Sequence, residues 1–312
     1  MTRPAVVALG GGHGLAASLA ALRLVTDRIT AVVTVADDGG SSGRLRDEFD
    51  VLPPGDLRMA LAALCDDTEW GHQWRDVLQH RFAGEGQLGG HAVGNLLIVS
   101  LWDLLGDTVG GLDLVGRLLN AHGRVLPMAG VPLNIEASVM GADPRHPLEI
   151  TTVRGQAEVA TTTGRVLAVR LNPEEPPACD EAVAAIRAAD WVILGPGSWF
   201  TSVIPHLLVP GVRNALLETP ARRILTLNLV MQTGETVGFS PENHLEVLAE
   251  HAPNLHLDVV LVDPDIVGDE VLLRQFAGRL GAELVLAPVQ DQGQRGHHDS
   301  LRLAAAYRDI MG

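Results

Sequence analysis

Short apolar runs alternate with stretches in which apolar residues recur every three or four positions, and this rhythm holds at both ends of the chain but changes in the middle. Ala5 to Leu9 reads as a buried strand, Gly10 to Gly14 as a turn, Leu15 to Leu24 as an Ala/Leu helix and Ile29 to Val35 as a second strand, which is a βαβ opening. Positions 36–54 are dense in Asp, Gly and Ser, so a loop is expected there, interrupted at most by a short helix near Arg44 to Glu48. Helical spacing returns at 56–66, 69–82, 92–105 and 112–121. From Arg124 to Asn172 the segments RVLPMA, LNIEASVM, LEITTVRGQAEVA and RVLAVRLNP read as strands between Gly/Asp/Pro turns, predicting an antiparallel β insert at 124–172.

Beyond Asp180 the alternation resumes. Helices are expected at 180–189, 199–208, 211–218, 241–251, 269–280 and 300–310, with strands at Trp191 to Leu194, Ile224 to Leu229, Val259 to Val262 and Glu283 to Ala287. Continuous apolar strands separated by helices predict a mainly parallel sheet covered on both faces. The fold class is therefore α/β, a three-layer α/β/α single domain over 1–312 that carries the insert within it.

Composition changes this picture little, whereas charge narrows the ligand. The hydrophobic content of 46% comes with only 4% aromatics, which suits layered helix-on-sheet packing. A net charge of −15 without a basic stripe argues against nucleic acid as a partner, so an anionic small ligand would need backbone donors, local arginines or a bridging cation. Cys65 and Cys179 show no metal-type spacing, and no run reaches the roughly 18 apolar residues of a membrane span. A cytoplasmic protein without membrane insertion is expected.

Candidate chemistry lies at strand ends. Gly10, Gly11, Gly12, His13 and Gly14 follow the first strand, where glycine permits close backbone approach and the next helix presents free N–H groups to phosphate. Gly12-x-Gly14-x-x-Ala17, with Asp37 and Asp38 downstream, also fits the short dinucleotide fingerprint, but no acid for a hydride site accompanies it. Asp37, Asp38, Ser41, Ser42, Arg44 and Arg46 follow the second strand at the same sheet edge; the two carboxylates could hold a divalent cation such as magnesium on a phosphate. Asp56 reads as a helix cap and Arg58 as a phosphate contact or a surface ion pair. His91 and Asn95 share a helical face, and the nucleophile-elbow spacing around them has Ala92 where a serine would be needed. Gly195, Gly197, Ser198, Thr201 and Ser202 form a second Gly-rich strand-to-helix junction, with Asn228 and Gln232 after the following strand. Two such junctions in one parallel sheet can converge where the strand order reverses, and this is the main physical signal. His297 and His298 read as a solvated turn before the last helix.

Taken together, GGGHGL at 10–15, TVADDGGSSGRLR at 34–46, LPPGDLR at 52–58, GHAVGN at 90–95, GRVLP at 123–127, GPGSWFTS at 195–202 and QTGET at 232–236 resemble the YvcK/CofD-like, or gluconeogenesis-factor, family, closer to its YvcK branch. The resemblance implies a Rossmann-like fold and a cytoplasmic protein that binds UDP-sugars such as UDP-N-acetylglucosamine and supports cell shape and wall synthesis during gluconeogenic growth. It also implies an alternative, a CofD-like metal-dependent transferase that moves a phospholactyl group onto a deazaflavin precursor. Three positions depart from the family pattern: His13 replaces Thr, Phe200 replaces Tyr, and no Arg directly precedes His298-Asp299-Ser300. Ser300 matches a position that some relatives present to a Ser/Thr kinase. A homo-oligomer is also compatible with this reading.

Overall fold

The computed structural model describes residues 3–230, 235, 236 and 238–312. The chain opens with β1 (Val6–Gly10), α1 (Gly12–Leu22) and β2 (Ile29–Val33), followed by α2 (Gly40–Phe49), α3 (Pro54–Leu64), α4 (Glu69–Gln79), α5 (Val93–Leu105) and α6 (Thr108–Leu118). Next come β3 (Arg124–Pro127), β4 (Asn134–Met140), β5 (Ile150–Arg154), α7 (Gln156–Thr161) and β6 (Arg165–Asn172). The last part holds α8 (Asp180–Arg187), β7 (Trp191–Leu194), a π-helical turn (Trp199–Val203), α9 (Ile204–Leu208), α10 (Pro210–Glu218) and β8 (Arg222–Thr226). It ends with α11 (Pro241–His251), β9 (Val259–Val262), α12 (Glu270–Arg279), β10 (Glu283–Leu286) and α13 (Ser300–Met311).

Seven strands form one parallel sheet in the order β10-β9-β8-β7-β1-β2-β3, with helices on both faces. The chain builds outward from β1 through β2 to β3, then returns to the other side of β1 and builds outward again from β7. The order thus reverses between β1 and β7, and a crevice opens beyond the carboxyl ends of these neighbours. Both strands are buried along their whole length, as their unbroken apolar sequences require.

The middle of the chain corrects the insert's boundary. Arg124–Pro127 does not belong to the antiparallel unit; it pairs parallel with β2, Val33 opposite Pro127, as an edge strand of the main sheet. Its consecutive buried residues mark a covered strand, whereas β6 alternates between buried and exposed positions as a half-solvated antiparallel strand does. The antiparallel sheet is three-stranded, in the order β5-β4-β6. Within it, the expected strand continuing to Ala160 breaks after Arg154, because α7 begins at Gln156. The Asp38 carboxylate accepts from Gln156 N at 3.0 Å and Ala157 N at 2.9 Å, so a residue more than a hundred positions away caps this helix.

A second difference concerns residues 36–54. The helix there spans ten residues from Gly40, far more than the short turn expected, although its intrinsic propensity is poor. Ser41, Ser42, Gly43 and Leu45 are buried under neighbouring elements, and this packing overrides propensity. The one tyrosine of the chain, Tyr307, is buried in α13 with its hydroxyl 2.9 Å from Ser18 Oγ and 3.1 Å from Thr226 Oγ1, tying α1 and β8 to the last helix. No helix among the described residues is long and apolar enough to cross a membrane.

Candidate functional site

Gly12 opens α1 in the left-handed region, φ +56°, and turns the chain so that the first amides of the helix face the crevice. Gly14 lies against the opposite turn; a Cβ there would fall 2.4 Å from the Pro196 carbonyl oxygen, so only glycine lets the two turns meet. Asn228 then fixes the second turn from β8's side. Its Oδ1 accepts from Gly197 N at 2.8 Å and its Nδ2 donates to Gly197 O at 2.7 Å, a pairing that imitates a sheet ladder.

These turns enclose a cavity of about 390 Å³ lined by Gly11–Gly14 and Ala17, by Pro196–Ser198 and Ser202, by Asn228–Val230, and by Asp56, Gln156 and Gly296–His298. The predicted convergence therefore holds for Gly11, Gly12, His13, Gly14, Gly197, Ser198, Ser202 and Asn228. Gly10 and Gly195 stand just behind the lining as the last residue of β1 and the first beyond β7. Gln232 lies outside the described residues.

Other candidates are used elsewhere. Thr201 is fully buried and its hydroxyl donates to Glu235 Oε1 at 2.5 Å, while Phe200 N donates to Oε2 at 2.9 Å. Glu235 thereby holds the π-helical turn, and burial raises its pKa. Both carboxylate oxygens of Asp38 accept from backbone N–H groups at the start of α7, so Asp38 serves as a cap there. Among the described residues, no group of three or more His, Cys, Asp or Glu side chains could hold a metal. Asp37 Oδ1 accepts from Gly39 N at 3.0 Å, and the carboxylate acts electrostatically on Asp56 instead.

None of the arginines expected to balance a diphosphate is among the residues lining the cavity. Arg44 donates to the carbonyls of Gln87 and Gly89, Arg46 to Leu133 O and Asn134 Oδ1, and the buried Arg58 to Asn95 Oδ1 at 2.9 Å. Arg58 belongs to a buried polar network. Asn95 Nδ2 donates to Ser41 Oγ at 3.0 Å, as Ala92 N does at 3.4 Å, so Ser41 uses its own proton on His91 Nδ1 at 2.9 Å. That arrangement leaves the proton of a neutral His91 on Nε2, and burial lowers the pKa of the ring. Ser42 is buried against Gly55, whose Cβ would meet its Oγ at 2.3 Å.

Three cavity residues had a weak signal or none. Asp56 read as a cap, yet burial, then the charge of Asp37, pushes its carboxyl up to about 7, with the Gly12 N–H and Arg58 acting in the opposite direction. Gln156 lines the site from α7, the helix whose N-terminus Asp38 caps. His298 read as solvated, but burial pulls its imidazole down to about 4. A larger groove of about 680 Å³ runs past Leu61, Asp113, Arg117 and Arg124. It lies at the amino end of β3, away from the strand reversal, and Arg124 is already bidentate on Asp113 at 2.8 and 2.9 Å.

The cavity can therefore offer helix-terminal amides to an anion, a carboxyl poised near neutrality, and polar side chains from three further elements. Comparison with known proteins points to a single group. Residues 6–291 match the family described as 2-phospho-L-lactate transferase CofD. A Mycobacterium tuberculosis (strain CDC 1551 / Oshkosh) protein, provisionally named a gluconeogenesis factor, is 56% identical over 305 residues, covering 96% of this chain and 88% of its own. The gluconeogenesis factor of Bacillus subtilis (strain 168) is 36% identical over 269 residues, 86% of this chain and 81% of that protein. The crystal structure of a UPF0052 family member from Bacillus halodurans superposes with a TM-score of 0.86 at 33% identity, covering 98% of this chain and 99% of that one.

Proposed function

The chain belongs to the CofD family, on the gluconeogenesis-factor side of it, and we propose that it is a cytoplasmic regulatory protein that binds a nucleotide-diphosphate sugar of the UDP-N-acetylglucosamine type. The observation that carries this reading is the meeting of the Gly11–Gly14 and Pro196–Ser198 turns on one cavity at the strand-order reversal. No lysine or arginine is among the described residues that line it, so the diphosphate would rest on backbone N–H groups and on His13. The physiological setting proposed is cell shape and wall synthesis under gluconeogenic growth, with Ser300, in the first turn of α13, as the position open to a Ser/Thr kinase.

Isothermal titration with UDP-N-acetylglucosamine tests the reading, wild type against Gly12→Asp. The left-handed backbone at Gly12 strains any side chain, Asp less than most, and the nearest atom to a Cβ there is Asp56 Oδ1 at 4.0 Å, so the melting temperature of the variant is measured alongside to show that it folds. A new carboxylate among the helix-terminal amides should reduce affinity at least a hundredfold. Equal binding by both proteins, or by neither, removes the pocket.

A second reading, a CofD-like transferase acting on a diphosphate-linked substrate, is favoured by Asp56. A carboxyl near neutrality inside the cavity could accept a proton from an attacking hydroxyl. Asp37 and Asp56 repel each other, so together they suit a divalent cation better than Asp37 with the committed Asp38. Such a cation, when bound, would neutralise charge on the diphosphate. Release of nucleotide from guanylyl-phospholactate with deazaflavin and magnesium would establish this activity; tight UDP-sugar binding without turnover would favour the regulator.

A further inference from the structure

Ser202 lines the cavity from the π-helical turn and is only 4% exposed, yet its hydroxyl has no hydrogen-bond partner among the described residues. It is not one of the unpartnered polar atoms that the fold seals from water, so the hydroxyl stays open, and the cavity that Ser202 lines is where it opens. The oxygen stands between the two glycine turns. A Cβ on Gly11 would fall 3.2 Å from it, and a Cβ on Gly197 would fall 3.6 Å from the Ser202 Cβ. Gly11 directly precedes α1, so this is the place where that helix presents its opening amides. Neighbouring bonds hold the serine there. Thr201 Oγ1 and Phe200 N donate to Glu235, Ser202 N donates to Ser198 O at 2.8 Å, and Ser202 O lies 2.9 Å from His206 Nδ1. With the backbone fixed on both sides, only the hydroxyl is left over, and an unpartnered polar group in a nearly buried residue belongs to a ligand contact.

We infer that Ser202 donates its hydroxyl proton to a phosphate oxygen of the bound molecule, so that the π-helical turn grips the same phosphate that the opening turn of α1 receives. This assignment rests on the nucleotide-diphosphate reading above and adds the side chain by which the second turn takes part in it. Phosphate oxygens are pure acceptors, and they match a hydroxyl whose proton no protein atom takes. The position beside Gly11 favours the phosphate over the sugar or the base, because the anion is the part of the ligand that helix-terminal amides attract. The other role open to a cavity serine, that of a nucleophile, fits less well. A nucleophilic hydroxyl needs a base within hydrogen-bond reach, and Ser202 Oγ has none. Asp56 Oδ2 also crowds Gly11 but is not bonded to the hydroxyl. His206, one helical turn further on, has both ring nitrogens facing backbone carbonyls, Ser202 O at 2.9 Å and Val32 O at 3.0 Å.

Three measurements on the wild type and Ser202→Ala test the assignment: melting temperature without ligand, calorimetric affinity for UDP-N-acetylglucosamine at pH 6, and phosphorus NMR of the same ligand bound at saturation. The hydroxyl has no protein partner to lose, so the Ala variant should melt within about a degree of the wild type. Its affinity should fall about tenfold, as loss of one hydrogen bond to a charged group predicts. A phosphorus resonance of the bound diphosphate should move between the two complexes. Undiminished affinity in the Ala variant overturns the assignment and leaves the parent reading standing. So does weaker binding with both phosphorus resonances unmoved, which would put the hydroxyl on the sugar or nucleoside. A melting temperature lower by several degrees also overturns it, since the hydroxyl would then serve the fold. A wild-type protein that does not bind UDP-N-acetylglucosamine overturns the parent reading and this one with it.

Discussion

The loops after β1 and β2 are alike in sequence and opposite in use. Gly10–Gly14 and Ala36–Arg46 are both rich in glycine and polar residues, and both leave the same edge of the sheet. The first presents the amides of His13 and Gly14, in the opening turn of α1, to a cavity that the turn after β7 closes from the other side. The second folds into α2 and closes on itself through Ser41, His91, Asn95 and Arg58, each hydrogen-bonded to another member. A polar loop becomes a binding site where its donors are left over. Where such side chains hydrogen-bond one another inside the protein, the same residue types act as buried scaffold.

The sharpest way to break this contrast is Arg58→Ala. If the network is scaffold, losing a buried guanidinium and stranding Asn95 should destabilise the fold by about 3 kcal/mol, read as a fall in melting temperature of several degrees. At pH 6, binding of UDP-N-acetylglucosamine by the folded protein should change no more than a few-fold; a hundredfold loss with little change in melting temperature would move Arg58 into the site.

Asp56 sits on the boundary between the two regions and gives the next effect. Its carboxyl, raised from 3.8 to about 7, is neutral below that pH and negative above it, so affinity for a diphosphate should fall about tenfold from pH 6 to pH 8. Asp56→Asn should flatten this slope, and a slope that survives would place the titrating group elsewhere. Stability follows the same sign. The folded pKa exceeds the unfolded one, so the contribution of Asp56 is full below pH 4 and is lost as pH rises through 7.

Asp38→Ala is the smallest expected change. Loss of the cap on α7 should cost about 1 kcal/mol and speed amide exchange at Gln156 and Ala157. Since Gln156 lines the cavity, a modest loss of affinity should accompany it. Unaltered exchange would show that α7 is held by its other contacts.

Much of this was legible in the chain because it depends on local chemistry. Buried strands announce themselves by unbroken apolar runs such as VVALG and WVIL, and glycines at a strand end mark close backbone approach, which is why both cavity turns could be found without coordinates. The family resemblance, carried by ordered motifs over most of the chain, agrees with the family match over residues 6–291. Arg124–Pro127 shows where pattern fails: four residues do not reveal whether their partner is parallel or antiparallel, since hydrogen-bond pairing belongs to two strands at once.

Side-chain roles were decided only by the tertiary fold. Motif position placed Asp38, Arg44, Arg58 and Thr201 beside a ligand, yet each found a protein partner supplied by a distant segment. Conversely, His298 and Asp56 looked unremarkable until burial removed water from them and shifted their protonation. The sequence by itself determined the layers of the sheet and the two glycine turns, because periodicity and backbone freedom are properties of neighbouring residues. Which polar groups remain unpaired, and so which can bind, depends on what the folded chain brings within hydrogen-bond distance, and that only the tertiary structure decides.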